Sequence, residues 1–548
     1  MQRRILKLDP RDNVLIALQD FKKGDVVESD GTEYELTSDV PAKHKFVIRD
    51  LAQGDRVVMY GVTVGTATAP LQRGEAITTR NMRHETAVAE RKLEEFHWHA
   101  PDVSKWRQRN FQGYQRADGQ VGTRNHWLVV PLVFCENRNI GTLKQAFEEE
   151  LGFAAPPVYR QQVSDLARLY REGKLDEIKR YRAVEAHPQR RPSTLFKNVD
   201  GIKFLLHEGG CGSTREDSNN LCALIAGYIH NPNVAGATVL SLGCQHSQSS
   251  VLRDELHKRD PHFKKPLFIY EQQSGTEFSM LSQAIQKTFA GLVEANRSDR
   301  VPAPLSKLCI GLKCGGSDGF SGISANPSIG YVSDILAALG GRTILSEFPE
   351  LCGVEQELMN RSTSHQVADR FITLMRTYNA RAKAVFSGFE MNPSPGNIRD
   401  GLITDAMKSA GAAKKGGTSP VTAVLDYPEY SSVSGLNLQC TPGSDVECVS
   451  AQVGAGANMV LFTTGLGTPT GNAIAPVVKL STNSALAARM PDIIDIDTGA
   501  VVNGDKTIEQ MGEEILERVI QIASGVAQTK AELLGQDDFI PWKRGVSL

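Results

Sequence analysis

Over the first 80 residues apolar and polar positions alternate in short runs at 14–18, 34–36, 45–48, 56–59 and 61–67. Between them stand Lys23-Gly24-Asp25, Asp30-Gly31, Gln53-Gly54-Asp55 and Arg73-Gly74-Glu75. A period of two, punctuated by glycine and aspartate turns, predicts a small all-β unit over 1–82. Residues 83–112 are charged and carry His97, Trp98, His99 and Trp106, which reads as a linker crossing a neighbouring domain. From Gly113 the pattern changes to apolar runs without alternation, each followed by a glycine-rich turn and an amphipathic stretch. The strand-like runs are 127–134, 202–206, 238–242, 267–270, 308–312, 343–346, 421–425, 459–462 and 477–480. Helices are expected at 143–151, 164–179, 354–383 and 508–523, and a basic surface loop at 186–197. Alternation without a fixed repeat predicts doubly wound, Rossmann-like α/β domains, one over 113–330 and one over 331–548.

The turns carry the chemistry. The densest is Cys314-Gly315-Gly316-Ser317-Asp318-Gly319-Phe320-Ser321-Gly322, followed by Asn326 and a helix expected near Tyr331. A strand, a glycine-rich turn and a helix leave free N–H groups at the carboxyl edge of a parallel sheet, which suits an anion. The same glycines also suit close strand–helix packing with no ligand. Cys135, Cys211, Cys244 and Cys314 each follow a strand-like run, so parallel strands are expected to gather their thiols at one edge. Convergent thiolates suit iron, an iron–sulfur cluster or zinc, and half-buried thiols beside glycines are the alternative. Cys222, Cys309, Cys352, Cys440 and Cys448 read as buried packing.

Composition narrows the function. With 548 residues, 41% hydrophobic, 23% charged and a net charge of -2, the chain reads as a multidomain soluble protein. The absence of a basic excess argues against nucleic acid as a partner. No apolar run spans a bilayer and the amino terminus lacks a signal-peptide core, so a cytoplasmic location is expected. Nine cysteines in a chain of this length read as reduced thiols. No P-loop, dinucleotide fingerprint or nucleophile elbow is present. Candidate bases and cations on turns are His44, His207, Lys408, Lys414, Lys415, Glu347 and Glu350.

Several of these segments together resemble the altronate/galactarate dehydratase family, nearly end to end. They are Pro41-Ala42-Lys43-His44-Lys45-Phe46 in a SAF-type (β-clip) module; Gly113-Tyr114, Arg116, Asp118-Gly119, Gly122 and Asn125; and the turns at Cys211 and Cys244. The most specific are 314–327, Asn392-Pro393-Ser394-Pro395-Gly396-Asn397 and Thr464-Gly465-Leu466-Gly467-Thr468-Pro469. The tail from Trp542 and the stretch from Gly435 resemble the altronate branch.

The resemblance implies a metal-dependent hydro-lyase that removes the C2 proton and C3 hydroxyl of a sugar acid. For altronate the product would be 2-keto-3-deoxygluconate. It implies iron, as Fe2+ or a labile iron–sulfur cluster with Mn2+ as a substitute, and the strand-end thiols Cys135, Cys211, Cys244 and Cys314 are the residues expected to hold it. His44, His207 and Lys408 would be catalytic. Arg116, Arg124, Asn125, Ser317, Asp318, Asn326, Asn392, Ser394, Asn397, Thr464 and Thr468 would hold the substrate. A homo-oligomer, a dimer, with no nucleic-acid or membrane partner is expected. Rival readings are a hydro-lyase for galactarate or another aldonate or aldarate, a sulfolactate-type carbon–sulfur lyase, and a non-enzymatic sugar-acid binder. The chain departs from the family pattern at 76–81, where Ala-Ile-Thr-Thr-Arg-Asn replaces a His-rich segment, and at Gln245, Leu466 and Ile398. Two of these departures remove a cation from a turn, which opens the way to a different sugar acid.

Overall fold

The computed structural model describes residues 4–86, 89–92, 95–154, 158–183, 194–545 and 547; the expected basic loop lies outside them from 186 to 193. The N-terminal unit is built of short antiparallel strands. Val14–Ala17 pairs with Ile5–Leu6 and Lys45–Val47, Val26–Ser29 pairs with Thr32–Glu35, and Val62–Ala67 pairs with Arg56–Met59 and Met82–Arg83. The expected runs recur within a residue or two, and the structure adds the strands Ile5–Leu6, Val26–Ser29 and Met82–Arg83. Alternate residues enter the core, among them Val14, Ile16, Val57 and Val64.

Two parallel sheets follow, whose strands are numbered here in chain order. The first contains β1 (His126–Pro131), β2 (Gly201–Phe204), β3 (Val234–Ser241) and β4 (Leu267–Glu271), in the spatial order β2-β1-β3-β4. The second contains β5 (Cys309–Cys314), β6 (Arg342–Leu345), β7 (Val421–Leu425), β8 (Gly435–Gln439), β9 (Met459–Thr464), β10 (Val477–Ser481) and β11 (Ile496–Asp497), ordered β7-β8-β6-β5-β9-β10-β11. The central strands β5 and β9 are buried on both faces, which explains their unbroken apolar runs. Asn110–Gln115 pairs antiparallel with Val301–Pro304, so the entry to and exit from the first α/β domain are zipped together. Asn231 and Asn233 tie that domain to the second by donating to the carbonyls of Val453, Ala457, Asn458 and Ile474 at 2.9–3.0 Å.

The structure moves one expected boundary. β5 belongs to the second sheet, between β6 and β9, so the domain boundary precedes residue 309 rather than falling at 330. The helix expected over 354–383 is two, Glu355–Asn360 and His365–Lys383, separated by a bridge from Ser362 to Val421 and restarted by Ser364, whose side chain caps the second. No described helix is long and apolar enough to cross a membrane.

Candidate active site

Each sheet reverses its winding once. The chain leaves β1 to form β2 on one side and returns as β3 on the other; it leaves β5 for β6, β7 and β8 and returns as β9. The carboxyl ends of β1 and β3, and of β5 and β9, therefore flank the crevices where open α/β sheets bind ligands.

At the second crevice the turns after β5 and β9 interlock. The Gly465 N–H donates to the Gly316 carbonyl at 3.0 Å. A Cβ on Gly316, at φ +61, would lie 3.0–3.3 Å from Thr468 Oγ1, Leu466 Cβ and Thr464 Oγ1, so only glycine fits without displacement. Thr464 Oγ1 accepts from the N–H groups of Leu466, Gly467 and Thr468 at 3.3, 2.9 and 3.2 Å, filling its own backbone nest. The Ser317 hydroxyl lies 2.7 Å from Cys314 Sγ. Asp318 is fully buried and accepts from the Phe320 N–H, the Ser321 and Thr482 hydroxyls and the Lys43 ammonium, the last at 2.9 Å. Asn397 closes a capping box with exposed Ser394 and donates to the Ser317 carbonyl at 2.8 Å. Asn326 is spent as a joint, accepting from Thr463 Oγ1 at 2.6 Å and donating to the Gly411 carbonyl at 3.0 Å.

The N-terminal unit covers this crevice with one turn. Lys43, itself at φ 74, bridges Asp318 and Asp400. Lys45 is buried and donates to the Gly401 carbonyl at 2.7 Å, and burial pulls its pKa down to about 7. His44 is half-buried with Nε2 3.1 Å from the Arg399 carbonyl. A carbonyl can only accept, so Nε2 carries the proton and Nδ1 keeps its lone pair. Burial lowers the His44 pKa, holding the ring neutral near pH 7. Gly322 makes room for the unit, since a Cβ there would stand 2.2 Å from the Tyr60 hydroxyl.

Beneath the turns lies a buried ionic ladder. Lys313 contacts Glu347 and reaches Asp445 at 2.9 Å; Lys415 reaches Glu347 at 2.6 Å; Lys408 reaches Glu350 at 2.8 Å and Asn392 at 2.8 Å. Burial alone would discharge these lysines, but Glu347 acting on Lys313 and Lys415, and Glu350 acting on Lys408, outweigh it and raise all three pKa values. Lys408 is therefore a fixed cation and not a base. Glu347 sits at φ 67, a strained conformation for a non-glycine residue.

The first crevice carries sulfur. Cys135, Cys211 and Cys244 follow β1, β2 and β3, and all three are exposed. Their turns touch: Phe134 N–H donates to the Gly209 carbonyl at 3.1 Å, and His246 N–H to the Gly210 carbonyl at 3.0 Å. The three sulfurs do not all lie within 4.8 Å of one another. A cleft of about 640 Å3 runs from His207 and Cys211 to Glu447 and Trp542. The expectation that four thiols share one edge is corrected, because Cys314 ends a strand of the other sheet with its sulfur buried against Ser317.

Four other expected roles give way to structural ones. His207 Nε2 lies 2.7 Å from the Pro131 carbonyl and Nδ1 accepts from the Gly209 N–H at 3.1 Å, while burial lowers its pKa to about 4. Both ring nitrogens are spent, so the ring cannot act as base or acid. Arg116, Arg124 and Asn125 precede β1 and hence stand at the opposite edge from the turns. Arg116 donates to the Pro232 carbonyl and Asn125; Arg124 grips Glu532 at 2.6 and 3.0 Å and donates to the Thr123 and Ile522 carbonyls; Asn125 donates to the Asn198 and Ala295 carbonyls. The site residues that sequence reasoning left out are Lys43, Lys313, Asp400 and Asp445. Lys313 was findable, since a lysine inside a strand buried on both faces needs a buried partner.

Family models match nearly the whole chain: the altronate/galactarate dehydratase SAF domain at 3–85, the D-galactarate dehydratase/altronate hydrolase second domain at 113–296 and the D-galactarate/altronate dehydratase C-terminal domain at 305–547. The chain is 34% identical over 525 residues to an altronate dehydratase of Bacillus subtilis (strain 168), covering 95% of each. It is 33% identical over 548 residues to an altronate dehydratase of Escherichia coli (strain K12), covering 99% of each. A galactarate dehydratase (L-threo-forming) of Escherichia coli (strain K12) is 28% identical, over 97% of this chain and 94% of that one. The chain belongs to the D-galactarate/altronate dehydratase family.

Proposed function

We propose that the protein is a sugar-acid dehydratase acting on altronate, removing the C2 proton and the C3 hydroxyl to give 2-dehydro-3-deoxygluconate and water. The observation that carries this reading is the tautomer and placement of His44: a neutral imidazole with a lone pair on Nδ1, clamped beside the glycine-rich turn of β5 by Lys43 and Lys45. A proton α to a carboxylate leaves only with a positioned base and stabilisation of the enediolate it creates. His44 takes the proton. The N–H groups of the turn at Gly316 and Ser317 are the candidates to stabilise that charge, since Lys313 and Lys408 are already neutralised by Glu347, Asp445 and Glu350. The half-buried Asn392 and Thr468 offer polar contacts at the rim.

The three thiols of the first crevice fit iron by their chemistry, since soft thiolates select iron–sulfur clusters or zinc and disfavour Mn2+. Cys135, Cys211 and Cys244 would hold the iron, and when bound it would supply a Lewis acid. To act on the C3 hydroxyl it would have to face the same substrate as His44, because that hydroxyl is on the carbon next to the one His44 deprotonates. A reducing cytoplasm fits nine unpaired cysteines. A dimer fits the apolar stripe Phe278, Ile285, Phe289 and Val293 exposed on the helix Glu277–Ala295, and light scattering tests it.

The test is an anaerobic panel of altronate, galactarate, other aldonates and aldarates, and sulfolactate, with ferrous iron, a reductant and keto-acid detection. Altronate should give the highest kcat/KM. Turnover confined to galactarate or to sulfolactate would reassign the substrate, and a silent panel would leave a sugar-acid binder.

A further inference from the structure

We propose that His84, Cys352 and Asp405 form a binding site for a divalent transition-metal ion of the Zn2+ or Fe2+ type, which pins the N-terminal unit to the second α/β domain. His84 follows the last strand of the N-terminal unit, Met82–Arg83. Cys352 follows the single turn Phe348–Leu351 beyond β6, and Asp405 opens the helix Asp405–Ala413. One ring nitrogen, one thiol sulfur and one carboxylate oxygen from these residues lie within 4.8 Å of one another. Nitrogen, sulfur and oxygen donors at such spacing suit a borderline-soft ion, and three protein ligands leave a position open.

An independent observation points the same way. Asp405 is fully buried, yet among the described residues its carboxylate meets no donor except the Cys352 thiol, itself one of the three groups. Two other buried carboxylates are saturated: Asp318 accepts from an N–H, two hydroxyls and an ammonium, and Asp334 accepts from the Thr418 and Ser419 N–H groups and the Thr418 hydroxyl. A buried carboxylate whose one donor is a weak thiol is costly, and a cation among its neighbours removes that cost. Glu350, whose Oε2 is also unpartnered, Glu355 and Glu390 add negative charge, while the nearby cation Lys408 is held by Glu350. The cluster Asp118, His230 and Asp260 is as tightly gathered, but its carboxylates already have donors: Asp118 accepts from the N–H and side-chain amide of Gln120, and Asp260 from the His262 N–H.

The proposal assigns Cys352 a ligand role in place of packing, and it stands apart from the thiols of the first crevice. The test uses full-length protein carrying Cys135→Ser, Cys211→Ser and Cys244→Ser, stripped of metal and titrated anaerobically with Co2+. About one equivalent should bind with a thiolate-to-cobalt charge-transfer band and raise the melting temperature. Adding Cys352→Ser, a nearly isosteric change that keeps the fold, should abolish the band and the stabilisation. His84→Gln and Asp405→Asn should weaken binding by more than the roughly tenfold that loss of an outer partner brings. No Co2+ binding in the triple variant, binding without a thiolate band, or a band that survives Cys352→Ser would each overturn the assignment.

Discussion

The two carboxyl edges of this molecule share one topology and have opposite chemistry. At the first, three strand ends present Cys135, Cys211 and Cys244 to solvent on turns joined by backbone bonds and by the side chains of Asn137, His207 and His246. At the second, the strand ends are sealed by the N-terminal unit, and the polar groups meet in a ladder with Lys313, Glu347 and Lys415 fully buried. The difference teaches what a winding reversal supplies by itself. It supplies a place for a ligand, and the residues on the turns decide whether that place is an open rack of soft donors or a sealed pocket of fixed charge.

Removing the proton acceptor should separate the two edges most sharply. His44→Gln keeps a polar side chain beside the Arg399 carbonyl but provides no base, so kcat should fall by about 10²–10⁴-fold while KM and bound iron change little. Loss of iron in that variant would mean that His44 helps to hold the metal. A pH profile sharpens the same point. The base must be neutral, so kcat/KM should rise with pH, and burial places the midpoint below the ordinary histidine value of 6.5. A midpoint above that value would remove His44 from the role.

The sealed edge should also be the fragile one. Lys313→Met removes a cation that Glu347 and Asp445 share in a fully buried setting, leaving uncompensated charge. A loss of about 3–5 kcal/mol in chemical denaturation is expected. Gly316→Ala is milder: at φ +61, with neighbours at 3.0–3.3 Å, a loss of about 1–3 kcal/mol is expected. Lys313→Met with wild-type stability would show that the ladder is not the anchor of this edge.

The sequence revealed the scaffold and the turns far better than it revealed which turns meet. Strand-like runs and glycine turns are local, and β5, β9 and the turn from Cys314 to Gly322 stand where the pattern put them. Which sheet a strand joins is decided by distant partners, so Cys314 was grouped with thiols of the other sheet although its strand lies between β6 and β9. Arg116 and Arg124 misled for a related reason. An arginine before a strand and one after it look alike in sequence, yet they stand at opposite edges of a parallel sheet. His207 sits at the right edge, but its two ring nitrogens are consumed by Pro131 and Gly209, a fact of three-dimensional pairing with no sequence signal.

The smallest effect on stability should come from the open edge. Cys135, Cys211 and Cys244 are exposed, so Cys→Ser at each removes little packing and should shift folding stability by no more than about 0.5 kcal/mol. Bound iron, measured after anaerobic reconstitution, should nevertheless fall with each substitution, because a cluster needs its thiolates and serine is a poor replacement. Cys314→Ser should behave in the reverse sense. Its sulfur is buried against Ser317 in the second crevice, so iron should persist while the turn that carries Ser317 and Asp318 loosens and KM rises. If Cys314→Ser lost iron as completely as the other three, the thiols of the two sheets would act on one centre, and the division between an open rack and a sealed pocket would fail at that point.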